Sequence, residues 1–361
     1  MKLRRFLSVI TVVVTALAFV LMTGCQDEEA EQPEEMIDYE IAFITDDGLI
    51  NDKGVCEAVW NSVTDFGATR GISHKYYKAT EAKENAVKEV LDTAVDKGAK
   101  VVIVDSNKIA NIIIKLQDDY KDIDFITINT DAYNPENGDI LIKDNTVALT
   151  FATEQAGYMA GYAAVKEGYT QLGCMVEDQS KQMLNFQYGF AKGANRAAKE
   201  NGETVTLKCV AFDKNDPREE ASQKAAKWYQ NGTEVIFACG DKIESDVIEQ
   251  AETYEGKVIG GITDKGEVSD TVVISAVEDI NKALQETLQQ YVDGEFPGGE
   301  VKVFGVAEEA VSLDYKNSRL QNFVKDQYDM LFDQFKDGEV KVRVDDINSL
   351  DDLDLSNVEF K

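Results

Sequence analysis

Residues 99–129 read AKVVIVDSNKIANIIIKLQDDYKDIDFITIN, and this stretch decides the architecture. A short apolar run at 101–105 has strand length, 106–120 carries apolar residues at helical spacing, and a second apolar run follows at 125–129. Strand, helix and strand in about thirty residues make a βαβ unit with two parallel strands. The alternation continues outward in both directions. Further apolar runs lie at 41–45, 172–176, 205–212, 235–238 and 258–262, and helical-period segments at 53–66, 82–97, 183–201, 217–231 and 243–254. Gly98, Gly168, Gly202, Gly232 and Gly256 each follow a helix, where a left-handed residue closes it cheaply. The rhythm breaks three times. Residues 139–151 read as two short extended pieces before a small-residue helix at 154–166, and further extended pieces lie at 272–276 and 300–306. Three extended segments between two αβ lobes predict three hinge crossovers, with a ligand trapped between the carboxyl ends of the strands. The expected division is a first lobe of 41–150 plus 273–299 and a second of 151–272 plus 300–361. Gly157-x-x-x-Gly161 lets the helix at 154–166 approach a neighbour closely.

The chain has 361 residues, 43% of them hydrophobic, which is enough for two buried cores. Its 37 basic and 67 acidic residues give a net charge of −30, which repels phosphate backbones and excludes nucleic acid as a natural partner. The single histidine, His74, leaves no multi-histidine metal site and little room for a Ser-His or Cys-His pair, so neither an enzyme nor a cofactor is expected. No Walker-type phosphate loop or CxxC occurs. Cys56, Cys174, Cys209 and Cys239 read as buried free thiols, with a disulfide as the alternative outside the cytoplasm.

Lys2, Arg4 and Arg5 precede an apolar run at 6–22 that ends in Leu21-Met22-Thr23-Gly24-Cys25. This reads as an export signal over 1–24 with a lipid-modified Cys25; a transmembrane anchor is the alternative, although 17 apolar residues are at the low end of a span. Residues 25–40 carry eight acids and Pro33 and read as a solvated tether. The protein is then expected at the extracytoplasmic face of the cell membrane, held by lipid.

Several segments carry a family resemblance: TDDGLINDKG at 45–54 with Trp60, TEQAGYMAG at 153–161, FQYGFAKGA at 186–194, VIFACG at 235–240, IGGITD at 259–264 and ISAV at 274–277. In this order and spacing they resemble the basic membrane protein (BMP) family of substrate-binding lipoproteins of ABC transporters, of the purine nucleoside receptor type. The resemblance implies a type I periplasmic-binding-protein fold, with two parallel sheets flanked by helices. It also implies a small-molecule solute, ABC permease subunits as partners, and a monomer. For the site it implies Asn51 and Asp52 at a helix start, Asp52 being a helix cap or a ligand contact. It adds Phe186 stacking on a planar base, with core packing as the alternative, Gly240, and Asp264 on ribose hydroxyls. Asn129 falls where the family has an acid, with Asp131 close by.

The chain departs from the family in several places. Gly54-Val55-Cys56 stands where Ser-Phe-Asn is usual, Thr263 replaces the first of two acids, Glu278 replaces a lysine, and Asp105 stands where a small residue is usual. Strand ends also carry Asp46, Glu177, Asp213 and Asp241. A pocket among these acids favours a hydroxyl-rich neutral or a cationic solute over an anion, unless they belong only to a generally acidic surface. The expected function is capture of a nucleoside-like solute for an ABC importer by hinge closure. The alternatives are a ligand-sensing receptor of the same fold, or a binder of a sugar or cationic metabolite.

Overall fold

The computed structural model describes residues 38–46, 50–51, 53–134, 136–213, 218–344, 347 and 349–361. The export signal, Cys25, the tether up to residue 37, and Asp52 lie outside the described residues. In chain order the elements are β1 (Ile41–Thr45), α1 (Val55–Arg70), β2 (His74–Lys78), α2 (Glu84–Asp96), β3 (Val101–Val104), α3 (Asn107–Leu116), β4 (Asp124–Ile128) and β5 (Thr146–Phe151). There follow α4 (Thr153–Glu167), β6 (Gln171–Val176), α5 (Lys181–Asn201), β7 (Val205–Ala211), α6 (Arg218–Gln230), β8 (Val235–Cys239), α7 (Asp241–Tyr254) and β9 (Lys257–Ile262). The chain ends with β10 (Val272–Glu278), α8 (Ile280–Val292), β11 (Val301–Phe304), β12 (Val311–Leu313), α9 (Lys325–Lys336) and β13 (Val358–Phe360).

The strands form two sheets, as the alternation predicts. The first runs β11-β5-β4-β3-β1-β2 and is parallel throughout. The second runs β12-β10-β9-β8-β6-β7-β13 and is parallel except for the edge strand β12. β1, β3 and β8 are buried along their whole length. That is why they read as unbroken apolar runs and not as alternating ones: helices cover both faces.

Four expectations need correction, and β2, HKYYK, is a strand without an apolar run because it is the half-exposed edge beside β1. In 139–151 only β5 is a strand, and Ile140 makes an isolated bridge to Tyr133. The lobe boundaries move: β10 pairs with β9 and β12 in the second sheet, and β11 pairs with β5 in the first. The chain therefore changes sheet after β5, after β10 and after β11, and α8 packs on α1. At the end of α7 the left-handed residue is Glu255, with φ 56°. Gly256 is needed for space, since a Cβ there would lie 2.2 Å from the Tyr229 ring. Finally, residues 38–40 are fastened to the body: Tyr39 N donates to Lys97 O, Glu40 N to Ser73 Oγ, and Tyr291 Oη to Glu40 Oε1.

The close approach predicted at Gly157 and Gly161 is reciprocal. Cβ atoms at these positions would lie 2.1 and 2.0 Å from the carbonyl oxygens of Phe186 and Phe190 on α5. Gly189 and Gly193 of α5 face the Glu154 and Tyr158 carbonyls at 2.1 and 2.0 Å in the same sense. The two helices thus meet backbone to backbone, at the point where the chain first enters the second lobe. The tail covers a sheet edge, with β13 pairing with β7.

Candidate functional site

Both sheets present the carboxyl ends of their strands to one cleft of about 670 Å³, a volume suited to a small organic molecule. The first lobe lines it with Thr45 and Asp46 after β1, Asp105 after β3, Asn129 after β4, and the starts of α1 and α3. The second contributes Glu177 after β6, Gln182 and Met183 from α5, Asp213 after β7, Gly240 and Asp241 at the start of α7, and Ile262 at the end of β9. Parallel strands all end on the same side, so the turns after β1, β3, β4, β6, β7 and β8 deliver polar groups here.

The lobes touch across this cleft through named bonds. Asp241 Oδ2 accepts from Val55 N at 3.1 Å, so a second-lobe carboxylate occupies the amino end of α1, where exposed N–H groups and the helix dipole favour negative charge. Gly54 permits this: a Cβ there would lie 2.7 Å from Asp241 Oδ2. The Lys53 carbonyl accepts from Thr263 Oγ1 at 3.0 Å and from Lys265 Nζ at 2.7 Å. Lys265 Nζ also lies 3.3 Å from Glu244 Oε2 and 3.5 Å from Asp241 Oδ1. Desolvation lowers the pKa of this ammonium, but Glu244 and Asp241 outweigh it and hold the group above its ordinary value. Glu244 is buried and accepts from Gly261 N at 2.6 Å; burial raises its carboxyl and the Lys265 charge limits the rise.

A second bridge sits at the β10–α8 crossover. Glu278 accepts from Asn129 Nδ2 of the first lobe at 2.8 Å and from Gln182 Nε2 of the second at 3.3 Å. Burial pushes this carboxyl up to about 7, against the two amide donors. Asp105 is likewise pushed up to about 7 by burial, with Thr45 and Cys56 opposing and Asp46 adding to the rise. Burial also raises Glu177, which accepts from Lys242 N at 3.0 Å.

Strain gathers at the same place. Lys53, Asn129 and Ile262 have φ of 59°, 55° and 68°, and a β-branched residue there is a real outlier. Thr263 N donates to Gly261 O at 2.8 Å, so Ile262 is the middle of a three-residue turn. Such conformations persist where surrounding contacts hold them and are concentrated at functional sites.

Of the residues expected at the site, Asn129 and Gly240 line the cleft, as do Val55 and Asp105. Gly240, at φ 119°, leaves no room for a Cβ beside Glu177. Asn51 is exposed and absent from the lining, and Asp52 lies outside the described residues. Phe186 is a correction: it is fully buried against Phe237, edge to face at 6.0 Å, and packs in the core rather than on a solute. Its helix offers Gln182 and Met183 to the cleft instead. Asp131 is exposed and accepts from Tyr133 N within its own loop. Asp264 does not line the cleft; it accepts from Gly266 N at 2.9 Å and from Asn317 Nδ2 at 2.7 Å.

Sequence reasoning missed Glu244, Gln182 and Met183 as site groups, and the pairing of Lys265. A signal existed for Gln182 and Met183, which begin the helix after β6. None existed for the buried Glu244–Lys265 pair, whose partners come from different elements. Cys56, Cys174 and Cys239 are buried, Cys209 is half-buried, and none of the four is in a disulfide. Among the described residues no cluster of His, Cys, Asp or Glu could hold a metal ion, and no helix is long and apolar enough to cross a membrane.

Residues 40–346 match the sequence profile of the family described as ABC transporter substrate-binding protein, PnrA-like. The chain is 23% identical to the ABC transporter nucleoside-binding protein BmpA of Lactococcus lactis subsp. cremoris, over 92% of this chain and 98% of that protein. Among solved structures it is similar to an ABC transporter solute-binding protein from Aeropyrum pernix K1 (TM-score 0.70, 14% identity, 86% of this chain and 94% of that one). It is also similar to a transcriptional activator of the comK gene from Bacillus halodurans (TM-score 0.68, 14% identity, 84% and 100%). At such identities the structures show the fold, which is that of the two-lobed solute-binding proteins.

Proposed function

Because the chain belongs to the PnrA-like family of ABC transporter substrate-binding proteins, a family of binding proteins and not of enzymes, we propose that it captures a nucleoside-like solute for an importer by closing its lobes. The observation that carries this reading is the set of hydrogen bonds across the cleft, from Val55 N to Asp241 and from Thr263 and Lys265 to the Lys53 carbonyl. They hold the lobes together around a cavity of about 670 Å³. A solute favours this closed arrangement only as far as it touches both lobes. Closure then presents both lobes at once to a permease, and the ATPase comes from other chains. The BmpA relative, named as nucleoside-binding, supports the ligand class. The comK activator relative favours a second reading, in which the same closure reports a solute to a regulatory partner.

The expected anchor is a lipid on Cys25 at the extracytoplasmic face of the membrane, with the body acting as a monomer. Native mass spectrometry of protein purified without refolding tests the capture reading. A bound small molecule of nucleoside-like mass is expected. Protein that carries no solute, and whose melting temperature no nucleoside or sugar raises, would overturn it. Loss of membrane association in Cys25→Ser checks the anchor.

A further inference from the structure

Asp105 stands where the family resemblance leads one to expect a small residue, and the structure shows what it does there. It follows β3, which lies between β1 and β4 in the interior of the first sheet, so its carboxyl forms part of the cleft floor. The Thr45 hydroxyl and the Cys56 thiol hydrogen-bond to this carboxyl. Its Oδ1 is buried, yet has no hydrogen-bond partner. A buried carboxylate oxygen without a donor is costly, and such groups are retained where something else completes them.

We propose that this chain selects solutes that carry a protonated nitrogen, received by the Asp105 carboxylate on the first-lobe floor of the cleft. The proposal rests on the reading that this cleft captures a solute for an importer, and within that reading it takes a cationic solute in place of a nucleoside-like one. The surroundings favour a cation and disfavour an anion. Asp46, Glu177, Asp178, Asp213 and Asp241 share the lining with Asp105, against Lys108, Lys242 and Arg218. Pairing falls on both signs: Lys242 lies 3.9 Å from Glu177, Arg218 is bonded to Asp246, and Asp241 is held by Val55 N and Lys265; acids still outnumber cations in the lining, six to three. Lys108, the one cation on the first-lobe side of the described lining, is exposed.

Acidic groups outweigh the basic one around Asp105: Asp46 faces it from the end of β1, the Cys56 thiol from α1 and Tyr76 from β2, while Glu177 and Asp241 line the same cleft from the second lobe and Lys108 of α3, also in the lining, is the opposing charge. A protonated amine or amidinium supplies both the missing donor and a countercharge; a neutral hydroxyl supplies only the donor. Because burial holds this carboxyl near 7, a cation must displace a proton at lower pH. Its affinity then falls about tenfold for each pH unit below 7, whereas that of a neutral solute does not.

The test is calorimetric titration of dialysed protein with putrescine, arginine, adenosine and ribose at pH 8 and pH 6. We expect putrescine or arginine to bind at pH 8 and to bind about tenfold more weakly at pH 6. Asp105→Asn should weaken that amine at least tenfold and leave the melting temperature at pH 8 unchanged or higher. Adenosine or ribose binding while both amines fail would overturn the proposal and leave the capture reading standing. Amine binding that is indifferent both to pH and to Asp105→Asn would do the same. If no probe binds, the copurified mass decides: a solute without a basic nitrogen overturns this proposal alone, and the absence of any solute overturns both readings.

Discussion

Glu278→Gln should make the protein more stable at pH 8 and leave it nearly unchanged at pH 5. Glu278 is buried, and burial moves its carboxyl from 4.5 to about 7 in the folded protein. A carboxyl raised by folding binds its proton more tightly in the native state, so its favourable contribution is complete below pH 4.5 and is lost as the pH rises through 7. At about 1.4 kcal/mol for each pH unit of that interval, ionisation costs the native state about 3 kcal/mol by pH 8. Glutamine keeps the shape without the charge. Its carbonyl can accept from Gln182 Nε2, and its amide can donate to Asn129 once that side chain turns over. The turn exchanges the two ends of the Asn129 amide, so the position where Oδ1 has no partner is taken by Nδ2 and the number of unpaired atoms is unchanged.

The assay is thermal or urea unfolding of wild type and variant at pH 5 and pH 8. The variant should gain about 4–5 °C at pH 8 and retain a shallower pH dependence, since Asp105 titrates in the same direction. A variant that loses as much stability at pH 8 as at pH 5 would refute the reasoning, because the ionised carboxylate would then be a net stabiliser of its amide partners.

Asp241→Ala removes the acceptor at Val55 N and one partner of Lys265, so the open form should gain at least tenfold in population. Small-angle scattering should show a larger radius without solute, and solute affinity should fall. Gly189→Ala drives a Cβ to 2.1 Å from the Glu154 carbonyl oxygen; the α4–α5 pair must separate, and unfolding should show a loss of about 1–3 kcal/mol or more. Phe186→Ala should destabilise by about 3–5 kcal/mol, while the protein that remains folded keeps its solute affinity. A large loss of affinity at unchanged stability would restore the stacking role that burial denies this ring.

Much of the fold was legible because parallel strands covered on both faces read as continuous apolar runs, and VVIV at 101–104 cannot be mistaken for an alternating strand. The edge strand HKYYK shows no such run for the same reason: one of its sides is open to solvent. The crossovers were legible in number but not in membership. An extended segment shows in sequence, but its sheet depends on whether it finds β9 or β5 beside it.

At the site, the strand-end positions of Asp105 and Asp241 followed from the βα order, and Asn129 and Gly240 were implied by the family resemblance. What each side chain does there followed from neither. Phe186 and Met183 are three residues apart on one helix, and only packing against Phe237 shows which of them faces inward. Asp264 sits at a strand end like the others, yet Asn317, from a distant part of the chain, claims its carboxylate.

The sequence by itself determined the α/β class, the two lobes, the acidic cleft edge and the family, because periodicity and motif order are local properties of the chain. Only the tertiary structure decided which groups meet across the cleft. Asp241 against α1, Lys265 against the Lys53 carbonyl and Glu278 between Asn129 and Gln182 each join residues more than 90 positions apart or at different crossovers. Their charge states depend on burial and neighbours that no linear reading supplies.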